Sequence, residues 1–445
     1  MKKQFNITGV CIPEKHYMVD ISGKTAKIFD MIEQGDYFVI NRPRQYGKTT
    51  TIDMLDRLLK TSAEYFPIEI SFEGIGEEGF KSADVFIEEF FILLKQVFAT
   101  SGNEALVKFL ESGPVPNRFS KLDFWIGELV RKTGKKIVLM IDEVDKSSNN
   151  QLFLDFLGML RNKYLKRDKP GEFTFHSVIL VGVHDIKSLK TKIRRESEPK
   201  FNSPWNIAVD FEVDLSFSAV EIRSMLEDYA GEQQVSIDIP FFAEKLFYYT
   251  SGYPFLVSLL CKILHEKILP AKEKKEWREE DLEQAVQITL KKDNTNFESL
   301  IKNLENNPDL YEFVFNLIMN GAEFLFNLDN PIILSGKIYG ILKEEKGKVK
   351  IDNRLYAQRI YNYMASKLET SGHVTFDHKK YIIELKIWRG EAYHREGIRQ
   401  LCRYLDLQNL TPGYLLIYDL RKESGQTGKS ESIETEGKKI FAAWV

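Results

Sequence analysis

Gly47, Lys48 and Thr49 follow one another just after an apolar run, Tyr37–Ile40. A strand that ends in a loop and opens into a helix aims backbone N–H groups and the positive end of the helix dipole at one point, which suits phosphate. In that setting Lys48 reaches the β- and γ-phosphates, Thr49 holds Mg²⁺, and Gly47 lets the backbone approach with no Cβ in the way. The first glycine of GxxxxGK[ST] is missing, because Arg42 stands there. A surface turn before a Lys-Thr helix start would carry the same letters, so a second signal is needed.

That signal is the run Lys136–Asp145, KIVLMIDEVD. It reads as a buried strand delivering Asp142 and Glu143 to the carboxyl edge of a parallel sheet, where open α/β folds bind ligand. There Asp142 enters the Mg²⁺ shell, and Glu143 polarises the attacking water as general base. Two independent motifs at strand ends predict a nucleotide site.

A third constellation lies near the C-terminus. In Tyr381–Trp388 strand alternation puts Glu384 and Lys386 on one face and Ile383, Leu385 and Ile387 on the other. A carboxylate that ligates Mg²⁺ and a lysine that steadies developing phosphate charge are the parts of a metal-dependent nuclease. One helical turn separates Gln400 from Tyr404 on the helix that follows. Residues 380–419 therefore resemble the PD-(D/E)XK fold. The second acidic ligand of that fold is not evident: its slot falls near Ser371 or Gly372, Glu369 comes early, and Asp377 lies in the turn. A single carboxylate would hold a divalent ion weakly.

The elements that must carry these residues follow from periodicity. Tyr37–Ile40, Pro67–Phe72, Ile137–Ile141, Val178–Val183 and Ile207–Val213 read as strands separated by amphipathic helices, an α/β doubly wound parallel sheet. Ser218 and Glu221 form a capping box that opens a helix through Tyr229. Farther on, Leu310, Phe313, Val314, Leu317 and Ile318 form a helical stripe with Gly321 as its stop. A hairpin of Ile338–Leu342 and Lys348–Ile351, then a helix over Leu355–Met364, suggests a winged helix. Lys343, Lys346, Lys348, Lys350 and Arg354 would let the wing track phosphates, although Glu344, Glu345 and Asp352 interleave. The expected division is a P-loop domain over 1–215, a helical lid over 216–300, a winged helix over 301–368 and a truncated nuclease-like domain over 369–445. The tail Lys422–Gly437 reads as polar, with a terminal strand over Ile440–Val445.

Composition bounds the function. With 62 basic against 65 acidic residues the net charge is −3, so nucleic-acid binding would need a local patch. Cys11, Cys261 and Cys402 form no CxxC pair, which excludes a zinc ribbon or a disulfide framework. The N-terminus lacks the apolar core of a signal peptide, and no run reaches the roughly 20 apolar residues of a membrane span. A cytoplasmic protein with no membrane partner is expected.

On NRPRQYGKTT, VLMIDEVD, SVILVGVHDIKSLK, SPWNIAVDF and SGYPFLVSLLCK, the chain resembles bacterial AAA-ATPase-like proteins related to signal-transduction P-loop NTPases. Many of these carry a C-terminal PD-(D/E)XK nuclease-like domain. The resemblance implies ATP and Mg²⁺ as ligands, with Arg44, Gln45, Tyr46 and Thr50 completing the phosphate loop. It implies a sensor at His184 or Asp185, an arginine finger at Arg194 or Arg195, and a GxP lid motif at Gly252-Tyr253-Pro254. It also implies that Tyr17 lies against adenine. An arginine finger acting in trans would require a homo-oligomer. The implied activity is ATP hydrolysis controlling a DNA-associated C-terminal module; the alternative is a nucleotide-dependent scaffold or switch without nuclease activity.

Overall fold

The computed structural model describes residues 2–146, 150–183, 205–292, 294–368, 372–376, 379–388, 390–407, 410–419 and 428–445. They fall into two compact units: Met1–Tyr311 with Glu323–Leu355, and Glu312–Ala322 with Tyr356–Val445.

The first unit is built on β1 (Tyr37–Asn41), β2 (Tyr65–Ser71), β3 (Lys136–Asp142) and β4 (Ser177–Gly182), parallel and ordered β1-β4-β3-β2. β3 is apolar along nearly its whole length because helices cover both sheet faces. Alternation divides its side chains between two cores. Ile137, Leu139 and Ile141 pack with α3 (Ala83–Thr100), α5 (Phe119–Thr133) and α6 (Gln151–Lys166). Val138 and Met140 pack with α1 (Ser22–Glu33) and α2 (Lys48–Lys60). Each such buried side chain contributes about 1.5–3 kcal/mol, so these cores fix the ends of the strands that carry the site. A short α4 (Glu104–Glu111) packs on α3.

Helices follow: α7 (Ala219–Gln233), α8 (Ile239–Thr250), α9 (Pro254–Ile263), α10 (Glu279–Lys291) and α11 (Thr295–Glu305). The capping box forms as read, with Glu221 N donating to Ser218 Oγ at 3.2 Å and Ser218 N to Glu221 Oε2 at 2.7 Å. Next come α12 (Pro308–Met319), α13 (Pro331–Ile338), the antiparallel pair β5 (Leu342–Glu345) and β6 (Lys348–Ile351), and α14 (Arg354–Leu368). The second unit holds β7 (Gly372–Phe376), β8 (Lys379–Ile387), α15 (Glu391–Leu407), β9 (Pro412–Tyr418), β10 (Ser430–Thr435) and β11 (Lys438–Trp444), with sheet order β10-β11-β9-β8-β7. Its core gathers Leu401, Leu405, Leu415, Ile417 and Ile440.

Three expectations need correction. The strand at Ile207–Val213 is reduced to one bridge, where Val209 N donates to Tyr37 O at 2.8 Å. The Arg42 guanidinium takes the carbonyls of Val213 at 2.7 Å and Phe211 at 3.5 Å, which a ladder would otherwise use. The first hairpin strand is Leu342–Glu345 rather than Ile338–Leu342: α13 runs to Ile338, and Gly340 at φ +69° stops it. The polar tail contains β10, which pairs with β11 as an edge strand and so keeps a polar composition.

Candidate functional site

The phosphate loop runs from the end of β1 to the start of α2. Gly47 caps α2 at φ +78°, a left-handed backbone that glycine adopts without strain. Lys48 is buried and folds back on the loop, donating to Arg42 O and Pro43 O at 2.9 Å each. Burial lowers its pKa, while Asp145, Glu143 and Asp142 work in the opposite direction. Thr49 Oγ1 donates to Asp142 Oδ2 at 2.8 Å, which joins the two motifs. Asp142 also accepts from Glu143 N at 2.8 Å.

Glu143 has φ +55°, a left-handed value that costs a non-glycine residue of order 1–3 kcal/mol. Burial, then Asp142, raises its carboxyl pKa above the ordinary glutamate value, and Lys48 offsets part of this. Asp145 was not singled out from the sequence. Its carboxylate accepts from Val183 N and lies within 2.9 Å of where a Cβ on Gly182 would stand. It thereby ties the turn after β3 to the end of β4. No spacing rule marks it, since the contact depends on the β3–β4 pairing.

Beside the loop lies a cavity of about 350 Å³, with Gly47, Thr50, Tyr17, Leu215, Phe217 and Pro254 among its lining residues. Thr50 Oγ1 accepts from Cys11 N at 3.1 Å, fixing the N-terminal segment against α2. Tyr17 is buried, and its hydroxyl is committed to Glu232 at 2.5 Å and Gln233 at 2.7 Å on α7. Burial, then Glu232, pushes its pKa up to about 12, so it stays neutral. Pro254 faces the loop, 3.9 Å from where a Cβ on Gly47 would lie. Gln45 donates to Thr295 Oγ1 at 3.0 Å. Arg44 is exposed, and its carbonyl accepts from the Tyr253 hydroxyl. Tyr46 packs edge-on against Tyr253 at 4.7 Å between centroids. A Cβ on Gly340 would stand 2.6 Å from Pro43 Cγ, so the turn before β5 lies directly on the phosphate loop.

His184, Asp185, Arg194 and Arg195 lie outside the described residues, as do Glu369, Ser371, Asp377 and the side chains of Gln400 and Tyr404. Glu384 and Lys386 are described and are buried, forming an ion pair at 3.2 Å. Lys386 Nζ lies 5.4 Å from the centre of the Tyr393 ring, and the stem packs 3.2 Å from a Cβ position on Gly397 of α15. Among the described residues no group of three or more His, Cys, Asp or Glu side chains gathers as a metal site. On the hairpin, Lys343 donates to Ser251 Oγ at 2.9 Å and Lys348 pairs with Glu323 at 2.5 Å, and Arg354 at the start of α14 stacks 3.9 Å over Tyr248. Three of the five cations expected to track phosphate are thus engaged within the chain.

A family model described as an AAA-like domain matches residues 14–388. The chain belongs to the AAA-like domain family. Among solved structures, the Walker-type ATPase PABY2304 of Pyrococcus abyssi is similar over 80% of this chain and 99% of its own, at 14% identity and TM-score 0.52. That likeness shows a shared fold. The Aeropyrum pernix ORC2 protein in ADPNP-ADP complexes covers 78% of this AAA-like chain and 93% of its own, at 12% identity and TM-score 0.41. The Thermotoga maritima RuvB Holliday junction branch migration motor covers 76% and 94%, at 13% identity and TM-score 0.37. No curated protein matches the chain. Among the described residues of this AAA-like protein, no helix is long and apolar enough to cross a membrane.

Proposed function

We propose that the protein binds ATP in the cavity beside the phosphate loop and hydrolyses it with Mg²⁺. The observation that carries this reading is the 2.8 Å contact between Thr49 Oγ1 and Asp142 Oδ2. A hydroxyl and a carboxylate meeting at the end of a helix dipole form the hard-oxygen set that suits Mg²⁺ beside phosphate oxygens. Thr49 and Asp142 would hold the ion, whose chemistry is to neutralise charge on the β- and γ-oxygens. Lys48 exchanges the carbonyls of Arg42 and Pro43 for the γ-phosphate. Glu143, its carboxyl made more basic by burial, orients water and accepts its proton as the water attacks phosphorus. The GxP segment and Tyr17 shape the base end of the cavity, and adenine rather than guanine rests on the family resemblance.

For the C-terminal unit, the burial of Glu384 against Lys386 favours a nucleotide-dependent switch over DNA cleavage. An enclosed carboxylate paired to an ammonium is poorly placed to share a metal ion with a phosphodiester. Equilibrium ATP binding and phosphate release test the ATPase reading. Lys48→Ala is expected to abolish binding, and Glu143→Gln to retain binding while losing turnover. Turnover by Glu143→Gln at the parent rate would remove Glu143 as the base. Plasmid cleaved with Mg²⁺ and ATP, and spared by Glu384→Ala, would overturn the non-cleaving assignment.

A further inference from the structure

Arg42 occupies the place where the phosphate-loop motif has glycine, yet its side chain leaves the loop. The guanidinium donates to Val213 O at 2.7 Å, to Phe211 O at 3.5 Å and to Asn41 O at 2.9 Å. It stacks 5.0 Å over the Phe211 ring, which in turn stacks on Phe38 of β1 at 5.9 Å with planes 6° apart. Only a planar fork serves several carbonyls while lying on an aromatic face; a glycine or a single ammonium does not. This segment has one backbone hydrogen bond to β1, from Val209, and is not a ladder strand; Phe211, Val213 and Leu215 pack on the apolar core beneath α1 and α2, and the arginine adds a polar anchor.

What that segment leads to gives the anchorage a function. Leu215 and Phe217, immediately beyond, line the cavity. Phe217 N donates to Gly252 O at 2.8 Å, and a Cβ on Gly252 would fall 1.9 Å from Phe217 O. Two residues later Pro254 closes on Gly47. The phosphate loop is therefore gripped at its first residue by Arg42 and at its last by Pro254, and a continuous path of contacts through the cavity wall joins the two grips.

We propose that Arg42 is a positioning residue that sets the nucleoside wall of the cavity by holding residues 211–217 against the phosphate loop. The inference rests on the reading of the cavity as a nucleotide site. Its distinctive consequence is that restoring the motif glycine weakens the site. The loss falls on the nucleoside end: triphosphate groups meet Gly47, Lys48 and Thr49, which Arg42→Gly leaves in place.

The test is calorimetric binding of ATP and of inorganic triphosphate to the full chain, with steady-state phosphate release. For Arg42→Gly the expected result is roughly tenfold weaker ATP binding, the size of one or two lost charge-assisted hydrogen bonds. KM is expected to rise in parallel, kcat to stay within about twofold, and triphosphate affinity to be unchanged. Arg42→Lys should fall between parent and glycine variant. Phe211→Leu removes the ring beneath the guanidinium, and with it the stack on Phe38, while keeping the residue apolar; should Arg42→Gly not fold, this variant carries the test, with ATP affinity lost and triphosphate affinity kept. ATP binding by Arg42→Gly as tight as the parent's would overturn the proposal. So would equal losses for ATP and triphosphate, which would mark a distorted loop. Lys48→Ala run alongside separates the two failures: if it binds ATP like the parent, the nucleotide-site reading itself falls.

Discussion

Asp142 and Glu384 are both carboxylates on strands with a parallel neighbour, and each has a lysine close by, but their positions along those strands differ. Asp142 is the last residue of β3, where the chain leaves the sheet and Glu143 turns left-handed. Glu384 lies inside β8, three residues short of its end, with Leu415 of β9 opposite and α15 packed over Lys386. At the strand end the Asp142 carboxylate meets the Thr49 hydroxyl and the Glu143 N–H; in the strand interior the Glu384 carboxylate is enclosed and faces the Lys386 ammonium. Similar residue types thus yield a candidate site in one unit and a core ion pair in the other.

Four substitutions probe that contrast. Glu143→Gln should lower phosphate release by about 10²–10⁴-fold, the range for loss of a positioned base, with little change in ATP affinity. Glu384→Ala should leave ATP turnover alone and destabilise the second unit by roughly 3 kcal/mol, the usual cost of removing one partner of a buried ion pair. Urea unfolding checks this, and unchanged stability would make the pair something other than a core contact. Gly252→Ala should cost about 2 kcal/mol or more in unfolding measurements and raise KM, because its Cβ would strike the Phe217 carbonyl and its φ is +73°.

The smallest effect is one of pH. Glu69 on β2 is pushed up to about 7 by burial and then by Asp56, Asp53 and Asp142, with Lys60 offsetting. The folded protein holds this proton more tightly than the unfolded chain does. The stability it contributes is therefore complete below the ordinary glutamate value and declines as pH rises through about 7. Glu69→Gln should gain about 1 kcal/mol at pH 8, discounted for partial exposure, and almost nothing at pH 4.

The strand ends that carry Gly47–Thr49 and Asp142–Glu143 were legible because local patterns dictate them. An apolar run, a GKT triplet and a second apolar run ending in Asp-Glu define two strand ends, and strand ends in a parallel sheet converge. What Arg42 does was not legible, because its partners lie some 170 residues away and are backbone carbonyls, which no side-chain pattern records. The same contact explains the over-read strand: Ile207, Val209, Phe211 and Val213 alternate as a strand should, yet a side chain takes the acceptors. Ser430–Thr435 failed in the opposite direction, since an edge strand exposed on one side gives a composition like that of a loop. In the C-terminal unit, alternation placed Glu384 and Lys386 on one face, but nothing in the letters says how tightly α15 covers that face.

The chain crosses between its two units three times, at Tyr311, at Ala322 and at Leu355, and the first and last crossings fall within the helices α12 and α14. The stretch that returns, Glu323–Leu355, carries Gly340 onto Pro43 of the phosphate loop. No single cut can therefore release the first unit intact. A fragment ending at 311 would uncover Pro43, and one ending at 355 would leave 312–322 without the rest of its unit.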